Sequence, residues 1–186
     1  MFNSPIIVIG PPRSGTTMTA RVLQEWFGIL MDGAPVTPPK NVHKYNWLED
    51  SRLIEMNNLL RNGTIKLNAW TRRFKRFIRS MQKLNRPWGF KDPRIIPVFS
   101  YALTFFDMPI VVRCCRPRHL IIDSCVKKLE WPRESAENYI RYAEAKIDLA
   151  LKNYQHYKID FSKYMDEENL ISIFENSNLL RMDYAA

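Results

Sequence analysis

An α/β fold of three layers, with helices on both faces of a central parallel sheet, is what this 186-residue sequence predicts. Three observations carry the prediction. Short β-branched runs alternate with longer stretches of helical apolar periodicity, the order that gives parallel strands joined by crossover helices. The first run ends in a glycine-bounded turn that opens a helix. Apolar residues make up 46% of the chain and charged residues 25%, ordinary for a globular protein and unlike a disordered one. The length suits a single domain over residues 1–186, with a core that needs neither disulfides nor metal.

Ile6 to Ile9 is a β-branched run that stops at Gly10, as a strand buried on both faces should. Ser14 to Phe27 reads as a helix, with Met18, Val22, Leu23 and Trp26 on one side at helical spacing. Ile29 to Met31 suits a short strand. Asp32 to Asn46, with Gly33, Pro35, Pro38 and Pro39, is a loop long enough to serve a function. Leu48 to Arg61 is a helix with Leu53, Ile54, Met56, Leu59 and Leu60 as its apolar side, ended by Asn62-Gly63. Thr71 to Leu84 is another, with Phe74, Phe77, Ile78, Met81 and Leu84 inward.

Trp88 to Lys91 and Ile110 to Arg113 are further core strands, and Ile95 to Phe106 between them is helical. Leu120 to Leu129 follows as a helix. Pro132 suits the first turn of a long helix with Ile140, Ala143, Ile147, Ala150 and Leu151 inward. Tyr157 to Phe161 is a last strand and Glu167 to Phe174 a last helix.

Lys plus Arg number 28 and Asp plus Glu 19, a net charge of +9 that calls for an anionic partner. The charge is concentrated in the helix from Thr71, whose outer positions hold Arg72, Arg73, Lys75, Arg76, Arg79 and Lys83 with no acid among them. Docking on the core with a solvated basic face accounts for this pattern; so does steering of an acidic ligand. The aromatic signature of an RNA-binding sheet is lacking, and no nucleic-acid partner is expected. Cys114, Cys115 and Cys125 have no companion His or Cys at a ligand spacing, so they read as buried thiols in a reducing compartment and no metal is expected. No apolar run is long enough for a membrane span or a signal core. The expected location is cytoplasmic.

The most informative stretch is Gly10-Pro11-Pro12-Arg13-Ser14-Gly15-Thr16-Thr17. Its position between strand and helix lets backbone N–H groups and the helix N-terminus surround a phosphate-sized anion. Gly10-x4-Gly15 matches the nucleotide-binding P-loop, and Thr17 stands where that motif has Ser or Thr. Thr16 replaces the P-loop lysine that bridges the β and γ phosphates, which argues against ATP or GTP hydrolysis. A cation is retained earlier, at Arg13, beside two threonine hydroxyls.

Pro12-Arg13-Ser14-Gly15-Thr16-Thr17 resembles the 5′-phosphosulfate loop of sulfotransferases that use 3′-phosphoadenosine 5′-phosphosulfate (PAPS). The family's 3′-phosphate site, a strand followed by an arginine and, eight residues on, a serine, is similar to Ile110-Val111-Val112-Arg113 with Arg116 and Ser124. Pro117 directly follows Arg116, whereas many members place it one residue later, so Arg113 and Arg118 compete with Arg116 for that role. Gly89-Phe90-Lys91-Asp92-Pro93-Arg94 is similar to a signature of bacterial-type members, and Asn46-Trp47-Leu48-Glu49 to the stretch that carries their acidic residue near the acceptor. The ordered resemblance runs from about residue 5 to 130. The glycine-rich C-terminal loop of the cytosolic vertebrate branch is not visible, and the chain is short for the family.

The resemblance implies a P-loop-like sulfotransferase fold and a transferase that binds a nucleotide. Such an enzyme would move a sulfonate from PAPS to a hydroxyl, or less readily an amine, of a small-molecule or glycan acceptor, and would release adenosine 3′,5′-bisphosphate. Arg13, Ser14, Gly15, Thr16 and Thr17 would hold the 5′ end of the donor, with Arg116 and Ser124 at the 3′-phosphate. Lys91 would stabilise charge on the bridging oxygen. Glu49 is the first choice for general base, with Asp92 and His43 behind it. Two other functions compete: a nucleotide- or small-molecule-kinase-like P-loop enzyme, and a non-catalytic module binding a nucleotide or polyanion. A kinase of that type needs an apolar strand ending in Asp, whereas Ile110 to Arg113 ends in Arg.

Overall fold

The computed structural model describes residues 4–32, 48–162 and 166–177. Four parallel strands form its sheet in the order β2-β1-β3-β4: β1 (Ile6–Ile9), β2 (Gly89–Lys91), β3 (Ile110–Cys115) and β4 (His156–Asp160). The run Ile6-Ile7-Val8-Ile9 is buried throughout because β1 lies between two neighbours and carries helices on both faces.

Its alternating side chains divide the interior. Ile6 and Val8 join Val112, Cys114 and Ile159 beneath α1 (Thr16–Phe27) and α7 (Glu167–Asn176). Ile7 and Ile9 join Phe90 and Val111 on the other face, under α2 (Ser51–Arg61), α3 (Leu67–Gln82), α4 (Phe99–Leu103) and α6 (Arg133–Leu151). On that second face Phe74 stacks on Trp70 at 4.6 Å and meets Phe90 edge-on. A satellite cluster of Ile121, Ile122, Cys125, Ala136 and Ile140 joins α5 (Arg118–Leu129) to α6. These are the three predicted layers.

Several elements depart in detail from the sequence reading. Residues 29–31 make one isolated bridge, Leu30 to Trp88, in place of a strand. Ile95 to Phe106 is not one helix: Pro97 interrupts it, giving a 3₁₀ turn over Pro93–Val98 and then α4. The basic helix begins four residues early, so Trp70 joins its buried face, whereas Leu84 falls past its end and is 47% exposed. Trp26 is 61% exposed, because α1 buries the side carrying Thr19, Ala20, Val22 and Leu23. Cys114 and Cys125 are buried and Cys115 half-buried, all three free. No helix among the described residues is long and apolar enough to cross a membrane.

Candidate functional site

Parallel strands present all their carboxyl ends on one edge, and every residue singled out in the glycine loop and the arginine segment lies there. The loop after β1 turns on two left-handed residues, Arg13 at φ 70° and Gly15 at φ 102°. Gly15 has two reasons to be glycine. Its φ excludes most side chains, and a Cβ there would sit 2.5 Å from the Phe161 ring. The Ser14 hydroxyl is buried and donates to the Pro11 carbonyl at 2.7 Å, which holds the turn together.

Helix α1 then starts at Gly15 with no side-chain cap and no acid in its first turn. Its first N–H groups therefore keep their partial positive charge for an outside anion. Thr19 closes the turn from below, its N–H bonding the Gly15 carbonyl at 3.1 Å and its hydroxyl meeting Cys114 Sγ at 3.2 Å. Burial pushes the Cys114 thiol up to about 12, so this sulfur stays protonated.

The second arginine segment closes on the first. Arg116 Nη1 donates to the Arg13 carbonyl at 3.1 Å, and Arg13 Nε donates to Ser124 Oγ at 2.9 Å. Arg13, Gly15, Thr16, Thr17, Met18 and Arg116 line one open cleft of about 180 Å³. The loop after β1 and the segment from Arg116 to Ser124 thus form one cross-linked wall. Arg113 and Arg118, the alternatives to Arg116, are engaged elsewhere: Arg113 pairs with Asp148 at 2.5 Å, and Arg118 grips Glu144 through two nitrogens at 2.6 and 2.9 Å.

Behind the loop lies a buried chain of charges. Lys91, at the end of β2, donates to Thr17 Oγ1 at 3.3 Å and to Glu49 Oε1 at 2.5 Å. Arg94 Nη1 bridges Glu49 Oε2 at 2.6 Å and Asp92 Oδ1 at 2.8 Å. Asp92 Oδ2 accepts from Asn57 at 2.9 Å, and Asn57 accepts from the Trp70 indole at 2.8 Å. Burial lowers the pKa of Lys91 against the pull of Glu49, and burial raises that of Asp92 against the pull of Arg94. For Arg94 burial works downward, but Asp92 and Glu49 together raise it.

Lys91 and Glu49 thus stand at the loop, whereas Asp92 lies one residue pair further back, turned to Arg94 and Asn57. Asp92 also caps the 3₁₀ turn, accepting from the Arg94 N–H at 3.0 Å. The pairing of Asn57 with Asp92 and with Trp70 spans 35 and 13 residues, so no local spacing in the sequence shows it. The one available signal was a polar Asn on the side of α2 that also carries Leu53 and Met56. His43 and most of the loop from Asp32 to Asn46 lie outside the described residues. No group of His, Cys, Asp and Glu suited to a metal ion occurs among the described residues.

No protein-family model matches the chain, and no curated protein matches it in sequence. Solved structures share its fold. The sulfotransferase domain of the Synechococcus PCC 7002 olefin synthase superposes with a TM-score of 0.59 at 16% identity, over 98% of this chain and 74% of that one. TT1252 from Thermus thermophilus superposes with a TM-score of 0.56 at 13% identity, over 94% of this chain and 96% of that one. At these identities the likeness is one of fold. The chain has an α/β architecture, a four-stranded parallel sheet flanked by helices, a fold it shares with that sulfotransferase domain.

Proposed function

We propose that this protein is a PAPS-dependent sulfotransferase, moving a sulfonate to an acceptor hydroxyl. One observation carries the reading: Arg13 and Arg116 converge on a single cleft at an uncapped helix start that contains no acid. A donor with phosphates at both 3′ and 5′ positions needs two fixed guanidinium groups, whereas a nucleoside triphosphate needs the lysine that Thr16 replaces.

The donor bound there would supply sulfur carrying a phosphate leaving group, so that the acceptor oxygen bonds to sulfur as the sulfur–oxygen bond breaks. Backbone N–H groups of residues 15–17 and the Arg13 guanidinium hold the 5′ end, and Arg116 with Ser124 holds the 3′-phosphate. Lys91, anchored between Thr17 and Glu49, would stabilise the negative charge that develops on the leaving oxygen. As that charge draws the ammonium away, Glu49 Oε1 is released to take the acceptor's proton. Asp92 acts through Arg94, holding the guanidinium against Glu49 Oε2.

The test is sulfate transfer from radiolabelled PAPS to a panel of phenols, simple sugars and glycans. Label in an acceptor, lost in Lys91→Met, is the expected result. Phosphate transfer from magnesium ATP in the same panel, with no movement of sulfate, would support the kinase-like function instead.

A further inference from the structure

The proposed reaction leaves the outer face of α3 without a role. At 100° per residue, Arg72, Arg76, Arg79 and Lys83 point within about 30° of one direction, opposite Phe74, Phe77, Ile78 and Met81, which are buried. All four are exposed, and none has an acidic partner among the described residues. Arg73, to one side, is the residue of this helix that pairs with an acid, reaching Glu55 at 2.9 Å. At 1.5 Å per residue the four follow one another at about 6, 4.5 and 6 Å along the axis. A line of like charges on one helix repels itself, and the chain accepts that cost with no acid at any intervening position.

The character of this face selects its partner. A membrane-surface helix offers aromatic or aliphatic side chains to the acyl boundary, but here the apolar stripe is spent on the core. Leu67 stands on the inward side and Leu84 past the helix end, away from the charged line. A protein interface needs an apolar centre, and the line has none. Single-stranded nucleic acid needs aromatic platforms; Tyr101, an exposed ring beside the start of α3, is held edge-on against Phe105 with its hydroxyl against Thr71 at 3.1 Å. Duplex nucleic acid spreads charge over two strands across a groove, which a single row meets on one side only. What matches a row of exposed cations whose backbone positions advance by about the length of one pyranose ring at a time is a linear acidic polysaccharide with one carboxylate or sulfate per sugar.

We propose that the outer face of α3 binds an acidic polysaccharide chain along the line Arg72, Arg76, Arg79 and Lys83. The contacts are charge-assisted hydrogen bonds from guanidinium and ammonium groups to carboxylate or sulfate oxygens. The face is separate from the donor cleft, and the binding does not depend on the sulfotransferase function.

The test compares the full chain with two triple variants of equal charge change, R72E/R76E/R79E on this face and K127E/K128E/K152E elsewhere on the surface. The probes are chondroitin sulfate, neutral dextran, a DNA duplex and vesicles of phosphatidylserine in phosphatidylcholine, at matched ionic strength. The expected result is binding of chondroitin sulfate in preference to the other three. The α3 variant should weaken it at least tenfold and flatten its salt dependence, and the second variant should change it less than threefold. Should the charge-reversed α3 variant fail to fold, R72Q/R76Q/R79Q is read in its place against K127Q/K128Q/K152Q. Equal losses in the two variants would mean that net charge alone is at work, and would overturn the proposal. So would tighter binding of the duplex or the vesicles, or no binding of chondroitin sulfate. Adenosine 3′,5′-bisphosphate binding, measured in parallel, reports separately on the donor cleft.

Discussion

Arg13 and Ser124, 111 residues apart, are joined by a 2.9 Å hydrogen bond that ties the loop after β1 to helix α5. Together with the bond from Arg116 to the Arg13 carbonyl, it fixes the relative position of two guanidinium groups that elementary electrostatics would drive apart. Arg13→Ala and Arg116→Ala should each weaken adenosine 3′,5′-bisphosphate binding by about 10- to 150-fold, the equivalent of the ~1.5–3 kcal/mol of a charged hydrogen bond. Ser124→Ala should cost less, since it frees Arg13 without removing a charge. Calorimetric titration of the three variants checks the order.

The Lys91–Glu49–Arg94 cluster is buried, and removing one member strands another. Glu49→Ala leaves the Lys91 ammonium without its carboxylate and should destabilise the fold by about 3–5 kcal/mol. Lys91→Met combined with Glu49→Leu removes both charges and should recover part of that loss. Urea unfolding of the two variants decides: a double variant no more stable than Glu49→Ala would mean that the pair is not the unit of stability.

Stability should depend on pH through the same cluster. The folded chain keeps the Asp92 proton to higher pH than the unfolded chain, because burial outweighs Arg94. Stability from this group is therefore present near pH 3.8 and below, and is lost as pH rises from there through the folded value. Lys91 works in the opposite sense: the unfolded chain holds its proton up to about 10.5 and the folded chain releases it earlier, so stability rises with pH below that value. Asp92→Asn should flatten the acid slope and Lys91→Met the alkaline one, in melting temperatures taken against pH.

Gly15→Ala combines a backbone φ of 102° with a contact to the Phe161 ring. The strain alone is worth about 1–3 kcal/mol. Phe161 is itself a core residue, so the clash is read as a difference: the loss caused by Gly15→Ala in a Phe161→Ala background should be smaller than in the parent chain, yet not zero, because the φ strain remains, as thermal unfolding of the four chains would show.

Trp70→Phe keeps the ring buried but deletes the N–H that satisfies Asn57. A loss of about 1–3 kcal/mol is expected for the unpaired carbonyl oxygen. A near-neutral result in chemical denaturation would mean that Asn57 finds another donor.

Much of this architecture was legible in local sequence. Ile6 to Ile9 announced a doubly buried strand, and Ile140, Ala143, Ile147, Ala150 and Leu151 all lie on the buried side of α6, which Ala136 completes. Glycine spacing located the loop, since the need for a left-handed residue is written at Gly15 itself. Other features depend on what the rest of the chain brings near. Trp26 has helical spacing but stands 61% exposed, and Pro97 breaks a periodic run that looked continuous. In the charge cluster the Asp92–Arg94 pair is local and legible, two residues apart, whereas the pairing of Glu49 with Lys91 and Arg94 joins residues more than forty positions apart and is not. The engagement of Arg113 by Asp148 and of Arg118 by Glu144 is likewise set by where α6 packs, which no local spacing around Arg116 shows.

The most direct measurement is the melting temperature with adenosine 3′,5′-bisphosphate against magnesium ATP. At a hundred times its dissociation constant the bisphosphate should stabilise the fold by about 2.7 kcal/mol, a rise of roughly 5–10 °C for a chain of this size. Magnesium ATP should give a much smaller shift. A bisphosphate that leaves the melting temperature unchanged at millimolar concentration, or an ATP shift larger than its own, would contradict the account.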